Sequence, residues 1–286
     1  ALEGAAASVT LIGYAAGTAI TTGADNTIVG STAGDAITTG GGNVCIGMNA
    51  GGNFDAEDGN VAIGRSAFSG ATSAAYCVSI GMTTMQGAAT SNGTIAIGYN
   101  ALNPLTSGAA NIAIGYQAAD ALTTGQKNVA IGYTALSAGT GNSYNIAIGY
   151  EAMLVANGAD DSVVIGYQAG KAISTGDSNV IVGTGTGIAL TTGNKNVMVG
   201  VYTGDAATTA SGSVFLGYDA GGTVTTGYGN IAVGHDAMNG AATTGPNNIA
   251  IGVSAGDALT SGYDNILMGN DAGGVMTTGL GSVLIG

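Results

Sequence analysis

The chain of 286 residues has no tryptophan, two prolines, two cysteines, one histidine and only four basic residues. Each shortage excludes something. With a single histidine, no converging set of acid, base and nucleophile is expected, so neither an enzyme nor a catalytic cofactor is indicated. Lys+Arg 4 against Asp+Glu 17 gives a formal charge of -13, the wrong sign for gripping nucleic acid or anionic lipid head groups. No apolar run approaches the roughly 18 residues that a membrane helix requires, so no membrane insertion is expected. Charged residues at 7% and apolar ones at 45% argue against disorder, which goes with high charge and abundant proline. The chain opens at Ala1 and stops on the last glycine of a pattern, which reads as an excerpt. What is abundant is small: glycine, alanine and threonine together fill nearly half of the chain, without the every-third glycine of collagen.

A fixed period explains that composition. A β-rich triplet closed by glycine, as in Val129-Ala130-Ile131-Gly132, recurs with its glycine at 13, 30, 47, 64, 81, 98, 115, 132, 149, 166, 183, 200, 217, 234, 252, 269 and 286. The interval is 17 residues except for one of 18, where an extra residue falls near 235–248, ahead of Gly245-Pro246. An α-helical repeat needs 30 or more residues, whereas 17 rich in Gly, Thr and Val suffice for one coil of a β-solenoid. The expected fold is therefore all-β: a parallel β-solenoid or β-roll, one coil per repeat, about seventeen coils, with residues 1–286 forming a single repeat array. Stacked about 4.8 Å apart, the coils would make a rod about 80 Å long.

Reading down the columns of the repeat predicts which side chains meet. The residues three and one before each anchor glycine are nearly all β-branched or otherwise apolar, and they lie on one side of the strand. They are expected inside, so Val129, Ile131, Ile146 and Ile148 are the predicted core ladder. A second apolar column seven after the glycine, including Ile20, Ile37, Leu122, Ile173, Leu190 and Leu259, predicts a shorter second strand, reached through a Thr-Thr-Gly turn such as Thr123-Thr124-Gly125. Asn26, Asn43, Asn60, Asn111, Asn128, Asn145, Asn179, Asn196, Asn230, Asn248 and Asn265 share one column. Turned inward at a corner, such an asparagine ladder donates and accepts along the stack.

The residue between the two predicted core positions is then expected to face outward, yet it is Leu11, Ile28, Cys45, Ala62, Ser79, a run of Ala from Ala96 to Ala147, then Val164, Ile181, Met198 and Phe215. An exposed apolar stripe of that length is costly, so it predicts a parallel homo-oligomer, a trimer, in closest contact along the alanine run.

The units NVAIGYTAL (Asn128 to Leu136), NIAIGYQAA (Asn111 to Ala119) and NIAIGYEAM (Asn145 to Met153), joined by TTG turns, resemble the repeats of bacteriophage tail-fibre and tailspike proteins. They are also similar to the head repeats of trimeric autotransporter adhesins. The resemblance implies a left-handed parallel β-roll wound by three chains, extracellular, on a virion tail fibre or a cell surface, acting as a rigid spacer for attachment to a host glycan or receptor. The chain departs from those families in showing no coiled-coil stalk, membrane anchor or self-cleaving chaperone domain. Two other readings follow from the repeat itself: an extracellular filament of solenoids joined end to end, and an ice-binding solenoid with ranks of threonine such as Thr21-Thr22 and Thr123-Thr124.

Few residues stand out as sites. Tyr99, Tyr116, Tyr133, Tyr150 and Tyr167 follow five consecutive anchor glycines, a predicted ladder whose hydroxyls suit sugar contacts, or whose rings simply stiffen the rod. His235 occupies the same column and is expected to substitute for a tyrosine there. Asp55, Glu57 and Asp58 cluster in one loop, as oxygen ligands for a cation or as a solvated turn, the latter being favoured. Asp35, Asp120, Asp205 and Asp257 share a column without a calcium-repeat spacing. Cys45 and Cys77 fall in different columns and are expected to be free, buried thiols. The weaker repeats from Cys77 to Gly93 predict a local irregularity.

Overall fold

A computed structural model of the chain describes residues 8–286. They form a parallel β-solenoid without helix, in which each repeat is one coil carrying one three-residue strand. Two compact units divide the chain, Ala1–Tyr144 and Asn145–Gly286. The first contains β1 (Thr10–Ile12) to β8 (Val129–Ile131), the second β9 (Ile146–Ile148) to β17 (Val283–Ile285). Within each unit every strand pairs in parallel with the next at the full repeat, Ile112 opposite Val129 and Val197 opposite Val214. The extra residue is absorbed before Asn248, so that Ile231 is again in register with Ile249.

The predicted second strand does not form. Its arm is tied from coil to coil by separate backbone bonds, Thr123 N to Thr140 O at 2.9 Å and Thr191 N to Thr208 O at 2.8 Å. Among the described residues, pairing outside the main strands is limited to bridges at Val224–Thr243 and Tyr263–Leu280.

The structure also reverses the predicted faces of the main strand. In the triplet Val129-Ala130-Ile131 the middle residue is buried and the outer two are half-exposed, and Ile146-Ala147-Ile148 repeats the pattern. Val129, Ile131, Ile146 and Ile148 therefore line the outside of the coil, and the core column is the one expected to face a partner chain. Period-two alternation separates the faces without saying which is inside, and here both faces are apolar.

Several columns fill the interior, among them the middle strand residue and the residues three, four and seven after the anchor glycine. The strand residue and the one four after the glycine compensate in size. Where the strand supplies Ile28, Val164, Ile181, Met198 or Phe215, the residue six further on is Gly34, Gly170, Gly187, Gly204 or Gly221. Where the strand supplies Ala62, Ala96, Ala130, Ala147 or Ala232, that position holds Phe68, Leu102, Leu136, Met153 or Met238, all buried. A Cβ on Gly34 would stand 3.0 Å from Cδ1 of Ile28, and one on Gly204 2.9 Å from Sδ of Met198. Ala96, Ala130 and Ala147 are thus the small half of a jigsaw within their coils, while Ala113 faces the equally small Ala119. Phe54 and Phe68 complete it across neighbouring coils, edge to face with centroids 5.1 Å apart.

The anchor glycine is required twice over. Its φ lies between 127° and 148° throughout the array, a region that side-chain-bearing residues avoid. A Cβ on Gly64 would also lie 2.6 Å from the carbonyl oxygen of Gly81 in the next coil, so a stack of these corners closes only when none carries a side chain.

Candidate functional site

The buried asparagine ladder is built as expected. Asn196 is fully buried; its Nδ2 donates to Ala210 O at 2.8 Å and its Oδ1 accepts from Ser213 N at 3.0 Å. Asn43 does the same with Glu57 O and Asn60 N at 2.7 and 2.9 Å. Asn111 accepts from Asn128 N at 2.9 Å, and Nδ2 of Asn145 donates to Ala159 O at 2.8 Å. These groups bond to the corner backbone, which makes the ladder structural.

Cys77 interrupts it. Both cysteines are free and buried. Cys45 lies in the core column, where burial pushes its thiol up to about 12. Cys77 stands in the asparagine column, and its Sγ contacts Ser91 O at 3.4 Å and Thr94 N at 3.5 Å, long substitutes for carboxamide bonds. Beside it the hydroxyls of Ser91 and Thr94 are buried without a partner. The irregularity expected between Cys77 and Gly93 is therefore a local loss of polar pairing.

On the outside, the residues three and one before the glycine join the residue one after it to form a face three columns wide. In the first unit it runs through Val44, Ile46 and Met48 to Ile112, Ile114 and Tyr116; in the second through Ile146, Ile148 and Tyr150 to Ile249, Ile251 and Val253. Ile46 is 37% exposed and Val199 38%, while Tyr99, Tyr116, Tyr133, Tyr150 and Tyr167 are 41–52% exposed. None of the 17 carboxylates falls in these columns, and Arg65 is the one Lys or Arg that does.

The tyrosines stack face to face. Tyr99, Tyr116 and Tyr133 have successive centroids 5.2 and 5.1 Å apart with planes 20° and 6° from parallel, and Tyr150 and Tyr167 lie 5.2 Å apart. Because neighbouring rings cover one another, the row offers edges and hydroxyls outward, with little open ring face for a sugar. His235 stacks on Tyr218 at 5.1 Å, occupying the tyrosine column as expected, and contacts Asp236 through Nδ1 at 2.9 Å.

The remaining polar groups are mostly committed to the coil. The threonine hydroxyls that begin the Thr-Thr-Gly turns donate to the next coil, Thr123 to Thr140 O at 3.0 Å and Thr191 to Thr208 O at 2.9 Å. In the acidic loop Asp55 accepts from Thr38 Oγ1, Glu57 accepts from Asp55 N, and Asp58 accepts from Gly41 N at 2.7 Å. Among the described residues no group of three His, Cys, Asp or Glu side chains is placed to hold a metal ion, so Asp55, Glu57 and Asp58 do not converge as ligands. In the second unit burial raises the carboxyls of Asp205 and Asp219, with repulsion from Asp219 adding to the first and from Asp236 to the second. Burial likewise raises Asp120 in the first unit. Glu151 is the opposite case: Lys171 at 2.5 Å and Gln168 at 2.7 Å hold it below the usual carboxylate range. No helix among the described residues is long and apolar enough to cross a membrane. The chain matches no protein-family model and no curated protein.

Proposed function

We propose that the chain is a structural fibre shaft, a rigid spacer for attachment to a host or surface, assembled from parallel copies of itself as a homotrimer. The observation that carries this reading is the outer face of Val, Ile and Tyr, which has no carboxylate in a chain of net charge -13. At about 4.8 Å per coil and about 13 Å across four extended residues, each unit offers about 500 Å² of that face. Each unit by itself therefore offers well over half of the roughly 800 Å² per partner of a standard interface. Three parallel copies turning this face toward a common axis would bury it. The likeness of NIAIGYQAA and its neighbours to tail-fibre and trimeric adhesin repeats supports three copies and an extracellular setting.

Stiffness in this role comes from stacking: within each unit neighbouring coils are bonded through the strands and through stretches of asparagine and threonine ladder, so load passes along many parallel hydrogen bonds. Light scattering tests the assembly. A particle of three times 27.2 kDa is expected, and a particle of 27.2 kDa overturns the trimer.

A further inference from the structure

We propose that Asn239-Gly240 is a self-modifying site, where the asparagine deamidates through a cyclic imide and adds a negative charge to an acidic corner of the second unit. Asn-Gly is the sequence in which this reaction is least hindered, because glycine offers its amide nitrogen without a side chain in the way. The chain has three such pairs, Asn92-Gly93, Asn157-Gly158 and Asn239-Gly240. At the first, Gly93 N is held by Ala75 O at 3.2 Å, and Asn92 Oδ1 is held by Ala75 N at 2.8 Å. At the second, Gly158 has a partner of its own. At the third, Gly240 is exposed and its amide is given to no acceptor. The equivalent amides of Ala189 and Ala206 bond to Asp205 O and Gly222 O in the next coil, at 3.3 and 3.1 Å. Gly240 lies in the one lengthened coil, just before the extra residue is absorbed.

The reaction balances without a cofactor. Gly240 N attacks Cγ of Asn239, a C–N bond forms, and the bond from Cγ to Nδ2 breaks; ammonia leaves with the proton from the Gly240 amide. Water then opens the ring to aspartate or isoaspartate. The product sits where Nδ2 of Asn239 now donates to Asp236 Oδ1 at 3.1 Å. A donor is replaced by a carboxylate, next to the column that already holds Asp219 and Asp236.

The test is to hold the intact folded protein in mildly alkaline buffer and follow the mass of the fragments released by a protease that cuts after lysine and arginine. The fragment from 196 to 286 reports Asn239. It is expected to gain about one dalton, about tenfold faster than the fragment carrying Asn92, whose glycine amide must first leave its hydrogen bond. Unfolding in urea should bring the two rates together. Equal rates in the folded protein, or no gain at Asn239, overturn the proposal. The variant Asn239→Asp reads the consequence: a lower melting temperature at neutral pH is expected, and an unchanged one removes the proposed effect on the acidic corner.

Discussion

Phe215 occupies the space that Gly221 leaves open: a Cβ on Gly221 would lie 2.7 Å from Cγ of the Phe215 ring. The strand and the corner of one coil thus share a single allotment of volume, and in neighbouring coils either partner holds the large side chain.

That exchange predicts a rescue. Phe215→Ala should cost about 3–5 kcal/mol by leaving a cavity, and Gly221→Met should cost about 1–3 kcal/mol by overpacking. The double variant should recover part of both losses, because Ala232 with Met238 already realises that pairing in the next coil, and Met238 takes the required left-handed φ of 55°. Urea unfolding of the two single variants and the double variant measures the coupling. Simple additivity would contradict the shared space.

The two faces of the strand predict opposite outcomes for adjacent substitutions. Ala130→Asp places a charge in the dry interior and should unfold the surrounding coils. Ile131→Asp, on the outer face, should leave the circular dichroism of the single chain intact and reduce the mass of the assembly. If Ile131→Asp unfolds the protein and Ala130→Asp does not, the assignment of faces is wrong.

Cys77→Asn should stabilise the first unit. A carboxamide there is placed to donate to Ser91 O and accept from Thr94 N, the two groups that Sγ now reaches at 3.4 and 3.5 Å. A gain of about 1 kcal/mol is expected from making those hydrogen bonds. The reverse loss, Asn196→Ala, should cost about 2–4 kcal/mol, since Ala210 O and Ser213 N would be buried without partners. Thermal unfolding compares both with the parent.

Stability should rise on mild acidification. The carboxyls of Asp120, Asp205 and Asp219 are raised in the folded protein above 3.8, chiefly by burial. Near neutral pH these groups are charged in both states and the folded state carries the penalty. As pH falls through their raised values, the folded protein takes up protons before the unfolded chain does, and the penalty lifts. Glu151 acts the other way: paired with Lys171, it contributes stability above 4.5 that is lost as pH falls through its lowered folded value. The melting temperature should therefore climb from neutral pH and decline again in stronger acid. Asp219→Asn should raise it at neutral pH and leave it nearly unchanged at the acid end.

Much of this architecture is legible in the sequence. The seventeen anchor glycines establish the coil length, and their spacing to Asn196 or Asn128 places a carboxamide at most of the corners. The free thiols and the place of His235 in the tyrosine column follow from register alone. The absence of a second strand is not legible, because Leu122 and its column are apolar for packing, while the arm itself bends too sharply to pair as a strand. The acidic loop at Asp55, Glu57 and Asp58 stands out by composition, yet its carboxylates are taken up by Thr38, the Asp55 amide and Gly41.

The sequence by itself determined the period, the coil and the ladders, because a repeat of 17 residues with an obligatory glycine can stack in register along each unit only by placing like upon like. Which side of the strand is the interior was decided by the tertiary structure. Alternation is symmetric between two apolar faces, and the asymmetry arises only when the strand residue meets, across the lumen, the corner residues whose volumes complete its own.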